Sequence, residues 1–129
     1  ILKSNKIKKV FSLGKYDEKI NFITLQVTHG FTKATAYVFE NTAYISDCND
    51  LSIVNMKMFQ NLKLLIIDCL RIKKSPVHFN LSEALYVHSC LKPKKTILTN
   101  LNSDLNYDFL LKRLPKNVLP AYDGLKLNL

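Results

Sequence analysis

The chain has 129 residues, 47% of them apolar, with three Gly, four Pro, no Trp and a formal net charge of +9. That is the size of one ordinary domain or one lobe of a larger one, and the apolar share excludes a disordered segment. No apolar run approaches the roughly 18–20 residues that span a bilayer, and the opening ILKSNKIKK lacks the apolar stretch of a secretory leader. A cytoplasmic location without membrane contact is therefore expected. The first residue is Ile1 rather than Met, so an upstream segment is expected too.

The charge alone would point to nucleic acid. Its detail argues against that partner. Seventeen of the 19 cations are Lys, only Arg71 and Arg113 are Arg, and Asn occurs 12 times. This is the profile that A+T-rich coding DNA produces. The lysines are spread out, apart from small clusters in residues 6–9 and 92–95, and no Arg stripe interleaves with aromatics. Cys48, Cys69 and Cys90 are an odd number without a CxxC pair. They read as reduced, mostly buried thiols rather than a disulfide or zinc framework.

Residues 7–13 and 20–28 carry β-branched and aromatic side chains with partial alternation and read as strands, with KYDEK as the turn between them. ATAYVFE and TAYISD are two further strands around Glu40 and Asn41, a pair suited to a tight hairpin. Residues 52–60 place Ile53, Met56 and Phe59 at helical spacing behind Asp50, a cap candidate. KLLIID, residues 63–68, is a short continuous apolar run, as in a strand buried on both faces. Asn80 and Glu83 have capping-box spacing and open a helix over 81–91 that must stop before Pro93. KTILT is another buried strand, residues 104–114 a second amphipathic helix ended by Pro115, and VLPAY and GLKLNL closing strands. The order is β-rich first, then alternating, which predicts an α/β (α+β) layer architecture in one unit, residues 1–129.

Several strands end in a polar residue followed by a loop: His29, Asp47, Asp68 and Asn100. Sites in such folds collect at strand ends. His29 before Gly30 is a metal-ligand candidate or a turn residue. Asp47 is a ligand or a helix cap. Asp68 with Arg71 reads as a structural ion pair. His78, just ahead of a helix cap, could hold an anionic group or stand exposed, and His88 reads as structural. No HxH, GxxxxGK[ST], GxSxG or CxxC motif is present.

Taken in order, QVTHG, TAYISDCNDL, LLIIDCLR, PVHFNLSEAL, KPKKTILTNLNSDLNYDFLLKRLP and PAYDGLKL resemble the C-terminal half of a metallo-β-lactamase-fold hydrolase. Within that superfamily they look like the phosphoribosyl 1,2-cyclic phosphate phosphodiesterase branch, a group of bacterial metal-dependent hydrolases. The likeness runs over residues 24–127. It implies one lobe of an αββα sandwich, a mixed sheet flanked by helices, and two divalent metals, Zn²⁺ or Mn²⁺, that clamp a bridging water and a phosphodiester. It places His29 at a metal-ligand position, Asp47 at the bridging carboxylate and His78 facing the substrate phosphate. Asp68 and Arg71 fall beside the pocket.

The departures from that pattern matter as much. The HxHxDH ligand loop of the family's N-terminal half has no counterpart among three His. Where the family reads Thr-His-x-His and then Ser-Asp-Leu-Asp-Tyr, this chain has Thr99-Asn100-Leu101-Asn102 and Ser103-Asp104-Leu105-Asn106-Tyr107. Asn100 thus stands at a lost His-ligand position, and a neutral amide oxygen is a poor zinc ligand. His29 and Asp47 alone would be a vestigial site without tight metal. The expected reading is a truncated, degenerate hydrolase, inactive alone. One alternative is the C-terminal half of an active dinuclear phosphodiesterase completed by a separate N-terminal chain, and another is a basic nucleic-acid or polyanion-binding module. The face that would meet an N-terminal lobe is expected to be covered by self-association.

Overall fold

The computed structural model describes residues 10–52 and 54–128. Seven strands form one sheet: β1 (Val10–Leu13), β2 (Ile20–His29), β3 (Thr32–Phe39), β4 (Thr42–Ile45), β5 (Leu64–Asp68), β6 (Lys95–Thr99) and β7 (Val118–Pro120). Their order across the sheet is their order along the chain. β1 to β4 are joined antiparallel, and β4 to β7 are parallel. The two-residue turn between β3 and β4 holds Glu40 and Asn41 at φ 44° and 60°, the positive angles of the hairpin turn whose twist matches its strands.

Parallel neighbours need crossovers, and helices supply two of the three. α1 (Leu81–Leu91) links β5 to β6, and α2 (Tyr107–Arg113) links β6 to β7. α1 starts on the expected capping box: Asn80 Oδ1 accepts from the Glu83 amide at 2.8 Å, and Glu83 Oε2 accepts from the Asn80 amide at 3.0 Å. Its last turn closes on Lys92 in the left-handed region, φ 48°, so Pro93 never enters the helix.

Both helices lie on the same face of the sheet. Val27, Ala36, Ala43, Ile45, Leu65, Ile67, Leu98 and Val118 point to that face and share a core with Ala84 and Val87 of α1 and Leu110 of α2. The register carries a different row across the opposite face: Thr24, Tyr37, Tyr44, Ile66, Ile97 and Leu119. Phe11, Phe22 and Phe39 stack beside it, with centroids 5.1 and 4.8 Å apart. No described helix packs on this aromatic face, and no described helix is long and apolar enough to cross a membrane.

Some sequence expectations need correction. The helix over 52–60 is a single 3₁₀ turn, Met56–Phe59, capped by Asn55 rather than Asp50. Asp50 instead folds onto Ser52, accepting from its amide at 2.8 Å and its hydroxyl at 2.6 Å. The turn buries only Phe59, too little apolar contact to extend a helix. α2 begins at Tyr107, not 104, because the Asn106 side chain accepts from the Phe109 amide and fixes the start there. Residues 125–128 of the final run form no strand. The expected strand at 7–9, together with Ile53 and Leu129, lies outside the described residues.

Candidate metal centre

β2 and β4 are both antiparallel to β3, so β2 points the same way as the parallel strands β4 to β7. The C-terminal ends of β2, β4, β5 and β6 therefore meet at one edge of the sheet. His29 is the last residue of β2 and Asp68 the last of β5, while Asp47 and Asn100 follow β4 and β6. The loops beyond are tied to one another through backbone bonds. The Asn49 amide donates to Thr28 O at 3.0 Å, the Phe79 amide to Cys48 O at 2.7 Å, the Leu70 amide to Phe79 O at 2.9 Å, and the Asn102 amide to Leu70 O at 2.8 Å.

His78 reaches this edge from the segment ahead of α1. Buried Ser75 turns the chain there, its Oγ accepting from the Val77 and His78 amides at 3.3 and 3.2 Å. Fully buried Asp68 then fixes the ring, with His78 Nδ1 2.7 Å from Asp68 Oδ2. The same oxygen accepts from the Cys48 amide at 3.0 Å, and Oδ1 accepts from Asn100 Nδ2 at 3.1 Å. Burial pushes the Asp68 carboxyl up, and these three donors pull against that shift. A carboxylate on Nδ1–H leaves Nε2 as the ring's lone-pair donor.

Three donors converge. His29, Asp47 and His78 each offer a ligand atom, and these atoms lie within 4.8 Å of one another. The two imidazoles are 4.8 Å apart between ring centroids. His29 Nε2 is buried and has no hydrogen-bond partner, a cost that a cation would relieve. Asp47 is exposed and among the described residues accepts from its neighbour Ser46, at 3.1 Å, so its carboxylate can reach an ion without breaking a bond to another element. Two imidazoles and one carboxylate fit a single divalent ion with open positions. They do not fit the two-metal centre, because no other group of three or more His, Cys, Asp and Glu converges among the described residues.

No described thiol belongs to this group of donors. Burial pushes Cys48 and Cys69 each up to about 12, so both stay protonated at neutral pH. Cys90 is exposed, and all three are free.

The asparagines of the loop between β6 and α2 each have a structural task. Asn100 sits at φ 61°, a left-handed angle that Asn tolerates better than most residues, and its amide nitrogen braces Asp68. Asn102 Oδ1 accepts from the Ser103 amide at 2.6 Å and its hydroxyl at 3.2 Å. Asn106 caps α2.

The sequence-predicted residues are thus partly brought together. Asp68 pairs with His78 rather than Arg71. Arg71 instead pairs through its backbone with Asn80, and its Nε is buried without a hydrogen-bond partner. His88 lies away from the cluster, its Nδ1 2.8 Å from Thr96 Oγ1. Sequence reasoning missed the Asp68–His78 pair. It also missed Asn49, whose side chain accepts from the Gly30 amide at 2.8 Å. The signal for the first was present in Ser75-Pro76, a turn that delivers a His three residues after the Ser hydroxyl that holds it.

Among the solved structures similar to this chain are three of differing identity. A diphosphatase from the PhnP family is 30% identical, with a TM-score of 0.85 over 95% of this chain and 47% of its own. The metallo-β-lactamase-fold protein YhfI from Bacillus subtilis is 18% identical, with a TM-score of 0.73 over 92% of this chain and 53% of its own. Human tRNase Z, short form, is 14% identical, with a TM-score of 0.61 over 91% and 46%. The chain spans about half the length of each. No protein-family model matches it, and no curated protein sequence does.

Proposed function

From the premise that this chain carries half of a metallo-β-lactamase fold, we propose that it is the C-terminal half of a metal-dependent hydrolase acting on phosphoric esters or anhydrides, and that these 129 residues do not turn substrate over by themselves. The diphosphatase relative supports the substrate class. The observation that carries the second part is the ligand set. Three donors meet at the sheet edge, while Asn100, at the strand end where the resemblance expects a His, directs its amide nitrogen to Asp68. A two-metal clamp needs ligands for both ions, and the described residues supply them for one.

A divalent ion bound at this edge would polarise a phosphoryl oxygen as a Lewis acid. The chain's own residues have narrower tasks. His29 and Asp47 offer donors, and Asp68 holds the proton on His78 Nδ1, which leaves Nε2 as that ring's lone-pair donor. The test is hydrolysis of bis-p-nitrophenyl phosphate and of a nucleoside diphosphate with Mn²⁺ or Zn²⁺ present. The expected rate equals that of the metal in buffer; metal-dependent turnover that requires the protein overturns the proposal.

A second reading is completion in trans, favoured by the aromatic face that no described helix covers. In that reading a separate N-terminal half packs on Phe22, Tyr37 and Tyr44 and brings the missing ligands. Its signature is turnover that appears only when the two chains are mixed.

A further inference from the structure

We infer that the described residues form a site for one divalent cation, with His78 as the third ligand beside His29 and Asp47. The inference rests on the reading above that the sheet edge belongs to a metal-dependent hydrolase, and it goes further by adding His78 to the ligand set.

Three independent features support it. The first is the orphaned His29 Nε2, a buried polar atom with no partner. Left in that state it costs free energy that a ligand would recover. The second is the fixed orientation of His78. Asp68 is fully buried and accepts at 2.7 Å from Nδ1, and Ser75 holds the His78 backbone. A carboxylate behind a metal-binding imidazole sets its tautomer and raises its basicity. The third is the convergence itself, three ligand atoms within 4.8 Å from a strand end, a post-strand loop and the segment before a helix.

Asn100 fits the same scheme. Asn100 Nδ2 donates to Asp68 Oδ1, so the position now supports the carboxylate behind His78. A cation here meets two neutral imidazoles and one carboxylate, a set that suits Zn²⁺, Co²⁺ or Fe²⁺ better than Mg²⁺ or Ca²⁺.

The experiment is calorimetric titration of the chelator-stripped chain with Zn²⁺, supported by native mass spectrometry and by the visible absorption of a Co²⁺-loaded sample. One ion per chain is expected. Asp47→Asn and His78→Gln should each weaken binding at least tenfold and alter the Co²⁺ spectrum. Asp68→Asn should weaken it about 10–100-fold through the loss of the brace, and His88→Gln should leave it unchanged. Asp47 is exposed, so its variant tests the site without loading the core, and far-UV circular dichroism checks the others. Two ions per chain, no ion, or one ion whose affinity Asp47→Asn and His78→Gln leave intact overturns the inference. The hydrolysis assay reports separately: turnover with one ion bound defeats the functional proposal and spares this one, and two ions without turnover does the reverse.

Discussion

Gly30 sits at φ +59° between His29 and Phe31, and a Cβ placed there would lie 2.5 Å from Val77 Cγ1. The side chain it lacks is the space that lets the His29 turn press against the residue preceding His78. Gly30→Ala pays for a left-handed angle, which L-residues adopt at a cost of about 1–2 kcal/mol, and must also push Val77 aside. We expect a total loss of about 1–3 kcal/mol by chemical denaturation, together with a several-fold weaker Zn²⁺ affinity as the two imidazoles separate. Gly124→Ala is the control: its φ is +87° with nothing within 4 Å of a Cβ, so it carries the backbone cost alone and leaves the cation site untouched. If both variants lose Zn²⁺ affinity equally, the Gly30–Val77 contact is not what sets the His29–His78 separation.

At the scale of elements, α1 is held at both ends by different chemistry. Its N-terminus carries the reciprocal Asn80–Glu83 bonds, and near its C-terminus His88 bonds Thr96 of β6. Burial lowers the His88 pKa below its ordinary 6.5, so the fold favours the neutral ring. The stability this contributes is present above the unfolded pKa near 6.5 and is lost as pH falls through it towards the depressed folded value. The chain should therefore lose more thermal stability between pH 7 and 5 than His88→Gln does; equal losses would remove His88 from the account.

The capping box was legible in the sequence because both partners lie within one turn. The 3₁₀ turn at Met56–Phe59 was not, since residues spaced by three suit either helix type and only the Asn55 cap and the extended Gln60 decide the length. The strand-end residues His29, Asp47 and Asp68 were readable as polar full stops after apolar runs. Their convergence with His78 was not, because it depends on strand order and on a contact between residues ten apart whose connecting loop turns on the buried Ser75.

For the whole molecule, the two sheet faces have unequal fates. One is sealed by α1 and α2, and the other presents Phe11, Phe22, Tyr37, Phe39 and Tyr44, with Tyr44 37% exposed. Contiguous aromatic surface of this kind marks an interface more often than a free boundary with water. We expect the isolated chain to self-associate at micromolar concentration by light scattering, and Phe22→Lys with Tyr44→Lys to shift it towards monomer. A monodisperse parent chain would count against an occupied face.

The strand order carries a last consequence. Each strand of the sheet pairs with the strands just before and just after it in the chain, so none waits for a partner from a distant segment to be slotted between its neighbours. Every backbone ladder here closes within a short span of polypeptide, and emerging from the ribosome the chain would meet a finished template at each step. Such a unit can be cut from one gene and joined to another at a single boundary with its sheet intact. Built this way, the sheet holds its own order whatever is joined to either end of it.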